Sequence, residues 1–453
     1  MVFMQDGSAG TKRLPSLIKQ FQAQVKRTSL GDALVRRMHF YYLPALRVFR
    51  QLTHAGLEER KAFAQMRLAQ VLARARKTTY GRQVGRTTEL EAWPFLGKDA
   101  VRQNPQALLA APVWLTIPAS TSGTTGLPLK LFRSYASVAV EQAALDWLYE
   151  QAGLNPRTCK VAVLRGENIK PPDDMRPPFW RFDAAGKRMV MSSNHLNTQT
   201  LFAYYEALQG FQPDCLWAYP SSLDQLCRLM VAHDLSLKIP LVITSSEMLG
   251  SHSHQLVRQA LHAQLIDYYG QAERVNFAYS PKQGAYFFLP GYSWNELLFV
   301  QEDEQGALYE IVGTNLWNLT MPLVRYRTGD YVRFPQRLRP EHLEAICFGV
   351  EPFAGILGRT DDILIAPDGT HLTGIDHIPR DVEHVVRMQV IQEAPDYVRI
   401  RVIPTPEFNE QDRQTILQNA ALKIPSTMRV EIELGDDLER TSQGKAPFVI
   451  RRV

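Results

Sequence analysis

The chain has 453 residues, 45% hydrophobic and 21% charged, and its 51 Lys+Arg against 46 Asp+Glu leave a formal net charge of +5. Bulk disorder needs fewer apolar residues and a larger net charge, so it is excluded. The length exceeds the ~250–300 residues at which one core stops growing, so more than one domain is expected.

The N-terminus has no apolar stretch behind a basic start, and no window reaches the ~18 apolar residues of a membrane span. Neither a secretory signal nor a transmembrane segment is therefore expected. Cys159, Cys215, Cys227 and Cys347 form no C-x-x-C. They read as reduced thiols in a cytoplasmic chain. The first fifty residues are basic and partly amphipathic, with Leu34, Met38, Tyr41, Tyr42 and Leu46 among Arg36, Arg37, Arg47 and Arg50. Pro44 is expected to interrupt any helix there. A surface helix capping the first domain is the plain reading, and a membrane-surface helix the alternative. Next, Ala64, Leu68, Val71, Leu72 and Ala75 make one buried helical stripe.

From about Ala111 short β-rich runs alternate with helical patterns. The runs are Val161 to Leu164, Leu241 to Thr244 and Leu265 to Tyr269; the helices are Tyr135 to Tyr149 and Leu223 to His233. That alternation predicts α/β architecture with a substantially parallel sheet. Lys170 to Pro178 reads as a polar loop, and Ser251-His252-Ser253-His254 as a polar helix start. Runs near Asn295 to Val300, Leu308 to Val312 and Tyr331 to Phe334 follow without long helices, so a β-rich subdomain is expected to end the large domain. Past Gly358 come a turn at Pro367-Asp368-Gly369, strands at Met388 to Glu393, Tyr397 to Ile403 and Val430 to Leu434, and a helix at Glu410 to Leu422. This predicts a small α+β module of about a hundred residues.

Five segments carry chemistry. Ser120-Thr121-Ser122-Gly123-Thr124-Thr125-Gly126-Leu127-Pro128-Leu129-Lys130 crowds glycines and hydroxyls after an apolar run. It offers the backbone N–H groups and close approach that polyphosphate oxygens need, without being a Walker loop. Tyr268-Tyr269-Gly270-Gln271-Ala272-Glu273 ends an apolar run on an aromatic, turns, and presents an acid. At the carboxyl end of a strand, that acid suits Mg2+ on a nucleotide and the ring suits a base. Met321 to Asp330 places an acid after a Gly turn at a strand end, where a carboxylate can accept both hydroxyls of a ribose. Gly358-Arg359-Thr360-Asp361-Asp362 lies between the two composition regimes and suits a hinge. Arg440-Thr441-Ser442-Gln443-Gly444-Lys445 puts a compact cation on a Gly-containing loop near the C-terminus.

These five strings, in this order, resemble the adenylate-forming superfamily, and most of all its phenylacetate–CoA ligase branch with the capsular polysaccharide biosynthesis relatives. Trp93-Pro94-Phe95-Leu96-Gly97-Lys98, Tyr219-Pro220-Ser221-Ser222 and Thr244-Ser245-Ser246-Glu247 support it. The resemblance runs from about Tyr80 to the C-terminus. It implies a large ATP- and acid-binding domain over 80–357 and a small mobile C-terminal domain over 358–453; residues 1–79, which it does not cover, read as an N-terminal helical extension packed on the large domain. By it, Thr121, Ser122, Gly123, Thr124, Thr125 and Gly126 would form the loop over the phosphates. Ser245, Ser246 and Glu247 would line the adenine pocket, with Tyr268, Tyr269 and Gly270 beside the base. Glu273 would bind Mg2+, Asp330 would hold the ribose and Arg359 would approach ribose and phosphates. Asp361 would be the hinge and Lys445 the lysine of adenylation.

The implied activity is ATP-dependent conversion of a carboxylic acid to acyl-AMP, then transfer to a thiol, with coenzyme A as acceptor. An amine or a carrier-protein thiol is the alternative acceptor, and a non-catalytic nucleotide-binding relative the alternative class. Trp217, Tyr219 and Phe277 are candidates to line a pocket for an aryl or hydrophobic acid. A nucleic-acid partner is not expected, because no basic run interleaves with aromatics.

Overall fold

The computed structural model describes residues 35–453 apart from 86, 121–128, 166, 168, 171–173, 194, 251, 358–363, 368–370, 373–374, 376–377, 380–381, 422 and 441–445. In chain order, helices α1 (His39–Leu52), α2 (Leu57–Ala75), α3 (Thr79–Val84) and α4 (Lys98–Gln103) lead to the hairpin β1 (Ile117–Ser120) and β2 (Lys130–Arg133) and to α5 (Tyr135–Gln151). Then come β3 (Val161–Leu164), β4 (Trp180–Phe182), β5 (Arg188–Met191), α6 (Leu201–Phe211), β6 (Cys215–Ala218), α7 (Pro220–Ala232), β7 (Leu241–Ser245), α8 (Ser253–Leu261) and β8 (Gln264–Gly270). β9 (Phe277–Lys282), β10 (Ala285–Phe288), β11 (Ser293–Asp303), β12 (Gly306–Asn315), β13 (Tyr326–Phe334) and α9 (Pro340–Cys347) complete the large unit.

Among the described residues the main sheet has the order β10-β9-β8-β7-β6-β3-β5-β4. Its middle strands β5, β3, β6, β7 and β8 are parallel. α1 and α5 cover one face and α6, α7 and α8 the other. Cover on both faces explains why these strands read as unbroken apolar runs instead of alternating ones. All five positions of β7 are buried.

α1 runs through Pro44, contrary to the expected break. A proline inside a helix costs ~3 kcal/mol or more. Yet α1 buries Tyr42, Ala45, Leu46, Phe49 and Leu52, and each large apolar side chain so buried contributes roughly 1.5–3 kcal/mol. Packing therefore outweighs the lost hydrogen bond. Asp146, fully buried on α5, accepts from Arg37 at 2.7 and 2.8 Å and from the Tyr42 hydroxyl at 2.7 Å, which ties the two helices. The apolar face of α1 is thus committed to the domain core. α2 buries the expected stripe of Ala64, Leu68, Val71, Leu72 and Ala75.

β11, β12 and β13 form the antiparallel sheet expected near the end of the large unit. After it come β14 (Leu364–Ile365), β15 (His371–Leu372), β16 (Val385–Ala394), β17 (Tyr397–Pro404), α10 (Glu410–Ala421), β18 (Arg429–Leu434) and β19 (Val449–Arg451). These build a sheet of order β18-β17-β16-β19 with its own apolar core. The expected turn at Pro367-Asp368-Gly369 falls partly outside the described residues. No helix among the described residues is long and apolar enough to cross a membrane.

Candidate active site

Side chains alternate between the faces of a strand. The parallel register therefore places Arg165, Tyr219, Ser245 and Tyr268 in one row, just past or at the carboxyl ends of β3, β6, β7 and β8. That rim, outside the carboxyl ends of parallel strands, is where open α/β sheets bind ligands.

Tyr269 and Glu273 sit at the β8 end of the rim. The Tyr269 hydroxyl donates to Asp330 Oδ2 at 2.5 Å and accepts from Gln271 Nε2 at 2.9 Å. Burial, then the Asp330 charge, pushes that phenol well above its ordinary range. Asp330 is not at a strand end, as the sequence had indicated, but inside β13. Glu310 pairs with Tyr331 and Val312 with Arg327, so Thr328, Gly329 and Asp330 bulge opposite Ile311. Gly329, at φ +72°, makes the bulge, and bulges re-aim side chains beside sites. Thr328 Oγ1 donates to Ile311 O at 2.7 Å and accepts from Asp330 N at 3.0 Å, pinning it.

Glu273 lies in the turn between β8 and β9. It is 8% exposed. Its Oε1 accepts from the Tyr326 hydroxyl at 2.8 Å, and its Oε2 is buried without a hydrogen-bond partner among the described residues. A buried carboxylate oxygen with nothing to accept is costly unless a cation meets it. An all-oxygen ligand of this kind suits Mg2+, so the site fits the metal the sequence implied. Arg133, at the end of β2, faces Glu273 and donates to Ala272 O at 2.7 Å. Burial lowers its guanidinium to about 10, and its Nε has no partner among the described residues. Cation and carboxylate together suit an anion carrying a divalent metal.

Tyr326 is held in place by the chain between α3 and α4. Leu96 N donates to Arg325 O at 3.0 Å and Leu96 O accepts from Arg327 N at 3.0 Å. The string Trp93 to Lys98 thus locks the start of β13. Arg325 binds Glu296, with Nη2 to Oε1 at 2.8 Å, so this arginine is structural.

On the β7 side, Ser246 holds φ +74°, a strained setting for a residue other than glycine. Glu247 Oε2 accepts from Ser221 N at 2.9 Å, which caps the start of α7 at Tyr219-Pro220-Ser221-Ser222. Its Oε1 is buried without a partner among the described residues. The small unit meets the large one here, β16 lying against α7. Arg387 of β16 is buried at that contact with Glu247 and Asp224 facing it, and desolvation lowers it to about 10.

Thr121 to Gly126, Arg359, Asp361 and Lys445 lie outside the described residues. The flanks of two of those segments are placed. β1 and β2 pair so that Ser120 stands opposite Lys130, which brings the ends of the first together. Gln389, fully buried on β16, donates to Glu439 O at 3.0 Å and Pro447 O at 2.8 Å and accepts from Glu439 N at 3.0 Å. One amide so clamps both sides of residues 441–445.

The candidate aromatic pocket needs correction. Phe277 is fully buried, packed 5.3 Å from the Tyr268 ring and 5.2 Å from that of Tyr292, and belongs to the core. Trp217 and Tyr219 carry the guanidinium of Arg165 over their rings. The sequence reading missed Arg165, Arg133, Gln389 and Tyr326. Arg165 had a signal: it is a basic residue directly after a predicted parallel strand.

Residues 364–452 match the family described as CapK C-terminal domain. Over 371 residues the chain is 23% identical to Protein CapK of Staphylococcus aureus, covering 80% of each. It is also 23% identical to phenylacetate–coenzyme A ligase of Pseudomonas putida, over 80% of this chain and 76% of that one. The structure is similar to 2-hydroxyisobutyryl-CoA ligase in the postadenylation state with 2-HIB-AMP. The TM-score is 0.59 at 16% identity, over 88% of this chain and 90% of that one. These likenesses support the resemblance to the adenylate-forming superfamily, and the structure shares the fold of such ligases, with a large N-terminal unit and a smaller C-terminal one.

Proposed function

We propose that this chain, as a member of the adenylate-forming superfamily, is a ligase that joins a carboxylic acid to AMP and passes the acyl group to coenzyme A. The observation that carries the reading is the pair Glu273 and Asp330, two buried carboxylates at the β8 end of the rim, the first with an oxygen that has no protein partner among the described residues. Asp330, oriented by Tyr269, would accept the ribose hydroxyls. Ser245 to Glu247 and Tyr268 to Gly270 would flank the base, and Thr121 to Gly126 would receive the phosphates. Mg2+ held by Glu273 would offset charge on the phosphates. A carboxylate oxygen of the acid attacks the α-phosphorus, and the bond to the bridging oxygen breaks to release pyrophosphate. The gain comes mainly from positioning and charge neutralisation, which Lys445 would supply beside Arg359. The thiol of coenzyme A then attacks the acyl carbon and AMP leaves with the bonding electrons. A turn of the small domain, 358–453, about Asp361 would separate the two half-reactions. The relatives that carry coenzyme A in their names support it as the acceptor.

The test is acid-dependent exchange of pyrophosphate into ATP across a panel of aryl and aliphatic acids with Mg2+. Lys445→Ala should abolish exchange while sparing thioester formation from supplied acyl-AMP. Absence of exchange with every acid would overturn the proposal.

A further inference from the structure

Strand β7 ends on Ser245, and the chain then turns through Ser246 at φ +74°. A serine in the left-handed region is strained, and such strain persists only where the surroundings enforce it. Burial does not enforce it here, because Ser245 is buried but Ser246 is exposed. The restraint is polar. Arg165 Nη2 donates to Ser245 Oγ at 3.2 Å and to Ser246 Oγ at 3.0 Å, and the two hydroxyls lie 3.4 Å apart. On the other side of the turn, Glu247 Oε2 accepts from Ser221 N at 2.9 Å. The turn is thus fixed from two directions, by the chain after β3 and by the start of α7.

Arg165 follows a strand that does not adjoin β7. The order β7-β6-β3 puts β6 between them, a span of about 10 Å at ~4.8 Å per strand. Two rings at the end of β6 support the crossing. The guanidinium lies 4.5 Å from the Trp217 ring centre and 4.9 Å from that of Tyr219, contacts that favour a planar, delocalised cation. Tyr268 of β8 pairs with Ser245, its phenol raised by burial and pulled back by the Arg165 charge. One side chain therefore joins the carboxyl ends of four strands, and the strained element among them is the turn after β7.

We propose that Arg165 is a positioning residue for the nucleotide, acting through Ser245 and Ser246 to hold the turn after β7 in the shape that receives the base. This inference rests on the reading above that Ser245 to Glu247 flank the base.

The test uses the full chain and its Arg165→Gln, Arg165→Lys, Ser246→Gly and Ser246→Gly/Arg165→Gln variants. Calorimetry measures AMP binding, and pyrophosphate exchange gives kcat and the KM for ATP and for the acid. Backbone strain of this kind is worth roughly a factor of ten in an equilibrium constant. Arg165→Gln should therefore weaken AMP binding and raise the KM for ATP about tenfold, leaving kcat and the KM for the acid within about twofold. Arg165→Lys should restore part of the loss, since one nitrogen serves both hydroxyls, and it stands in if Arg165→Gln fails to fold. Glycine takes a positive φ without strain, so in the Ser246→Gly background Arg165→Gln should cost less than about threefold. The full loss in that background would show that Arg165 meets the nucleotide directly and would overturn the inference. Unchanged AMP affinity in Arg165→Gln would also overturn it, as would a raised KM for the acid with that for ATP unmoved. If no acid supports exchange, the ligase reading falls, and AMP binding alone decides Arg165. A loss of AMP affinity that disappears with Ser246→Gly then supports the inference; AMP that fails to bind the unaltered chain overturns it.

Discussion

Tyr326 holds one carboxylate oxygen of Glu273 at 2.8 Å and leaves the other buried without a protein partner among the described residues. Tyr326 opens β13 while Glu273 lies in the turn between β8 and β9, and backbone pairing of Leu96 with the start of β13 keeps Tyr326 in place. An outer residue that orients a metal-ligating carboxylate commonly affects metal affinity about 10- to 100-fold. Tyr326→Phe should therefore raise the Mg2+ needed for half-maximal pyrophosphate exchange about tenfold with little loss at saturation. Glu273→Gln should lower exchange about a hundredfold or more even at saturating Mg2+. Identical Mg2+ titrations for both variants and the unaltered chain would refute the metal role.

The clamp made by Gln389 predicts a split between half-reactions. Gln389→Met keeps the volume but drops the bonds to Glu439 and Pro447 on either side of residues 441–445. Acyl-AMP formation should fall about tenfold or more, while thioester formation from supplied acyl-AMP stays near normal. Parallel losses in both steps would show a merely structural role.

Asp267 predicts a pH dependence of stability. Burial pushes its carboxyl up to about 7, against the opposing pull of the Thr244 and Tyr286 hydroxyls at 2.6 Å each. A folded pKa above the unfolded value of about 4 stabilises the fold fully below pH ~4, and that stability fades as pH rises through about 7. Urea midpoints should thus carry a downward contribution between those limits. Asp267→Asn should flatten it, and an unchanged slope would count against the protonated buried carboxyl.

Gly313 marks a close approach. A Cβ there would fall 2.3 Å from Val275 O and 2.5 Å from Asn276 Oδ1. The Asn276 amide, which donates to Asn295 Oδ1 at 2.8 Å, anchors the turn carrying Glu273. Gly313→Ala should lower stability by ~1–3 kcal/mol and impair exchange. Gly210→Ala, in α6 with nothing among the described residues within 4 Å of its Cβ, should leave both intact. Equal urea midpoints for the two variants would refute the crowding.

Much of the fold is legible because its signals are local. The apolar runs of β3, β7 and β8, the stripe of α2 and the long pattern of α5 each announce an element within one short window. Pro44 misleads because local propensity says nothing of the core that α1 will fill. Similarly, Gly329-Asp330 reads as a turn when it is a bulge, since only a partner strand distinguishes the two.

The candidate site divides along the same line. Residue type and order singled out Glu273 and Asp330, because a carboxylate after an apolar run is a property of contiguous residues, whereas Ser245 to Glu247 entered through the family resemblance. Whether an aromatic lines a pocket or fills a core depends on what packs against it, and this separates Phe277 from Trp217 and Tyr219. The Tyr326–Glu273 bond, the Gln389 clamp and the bonds of Arg165 to Ser245 and Ser246 exist only once strands distant in the chain lie side by side. Hydrogen bonds and charges act over a few ångströms, so tertiary proximity, not neighbourhood in sequence, decides them.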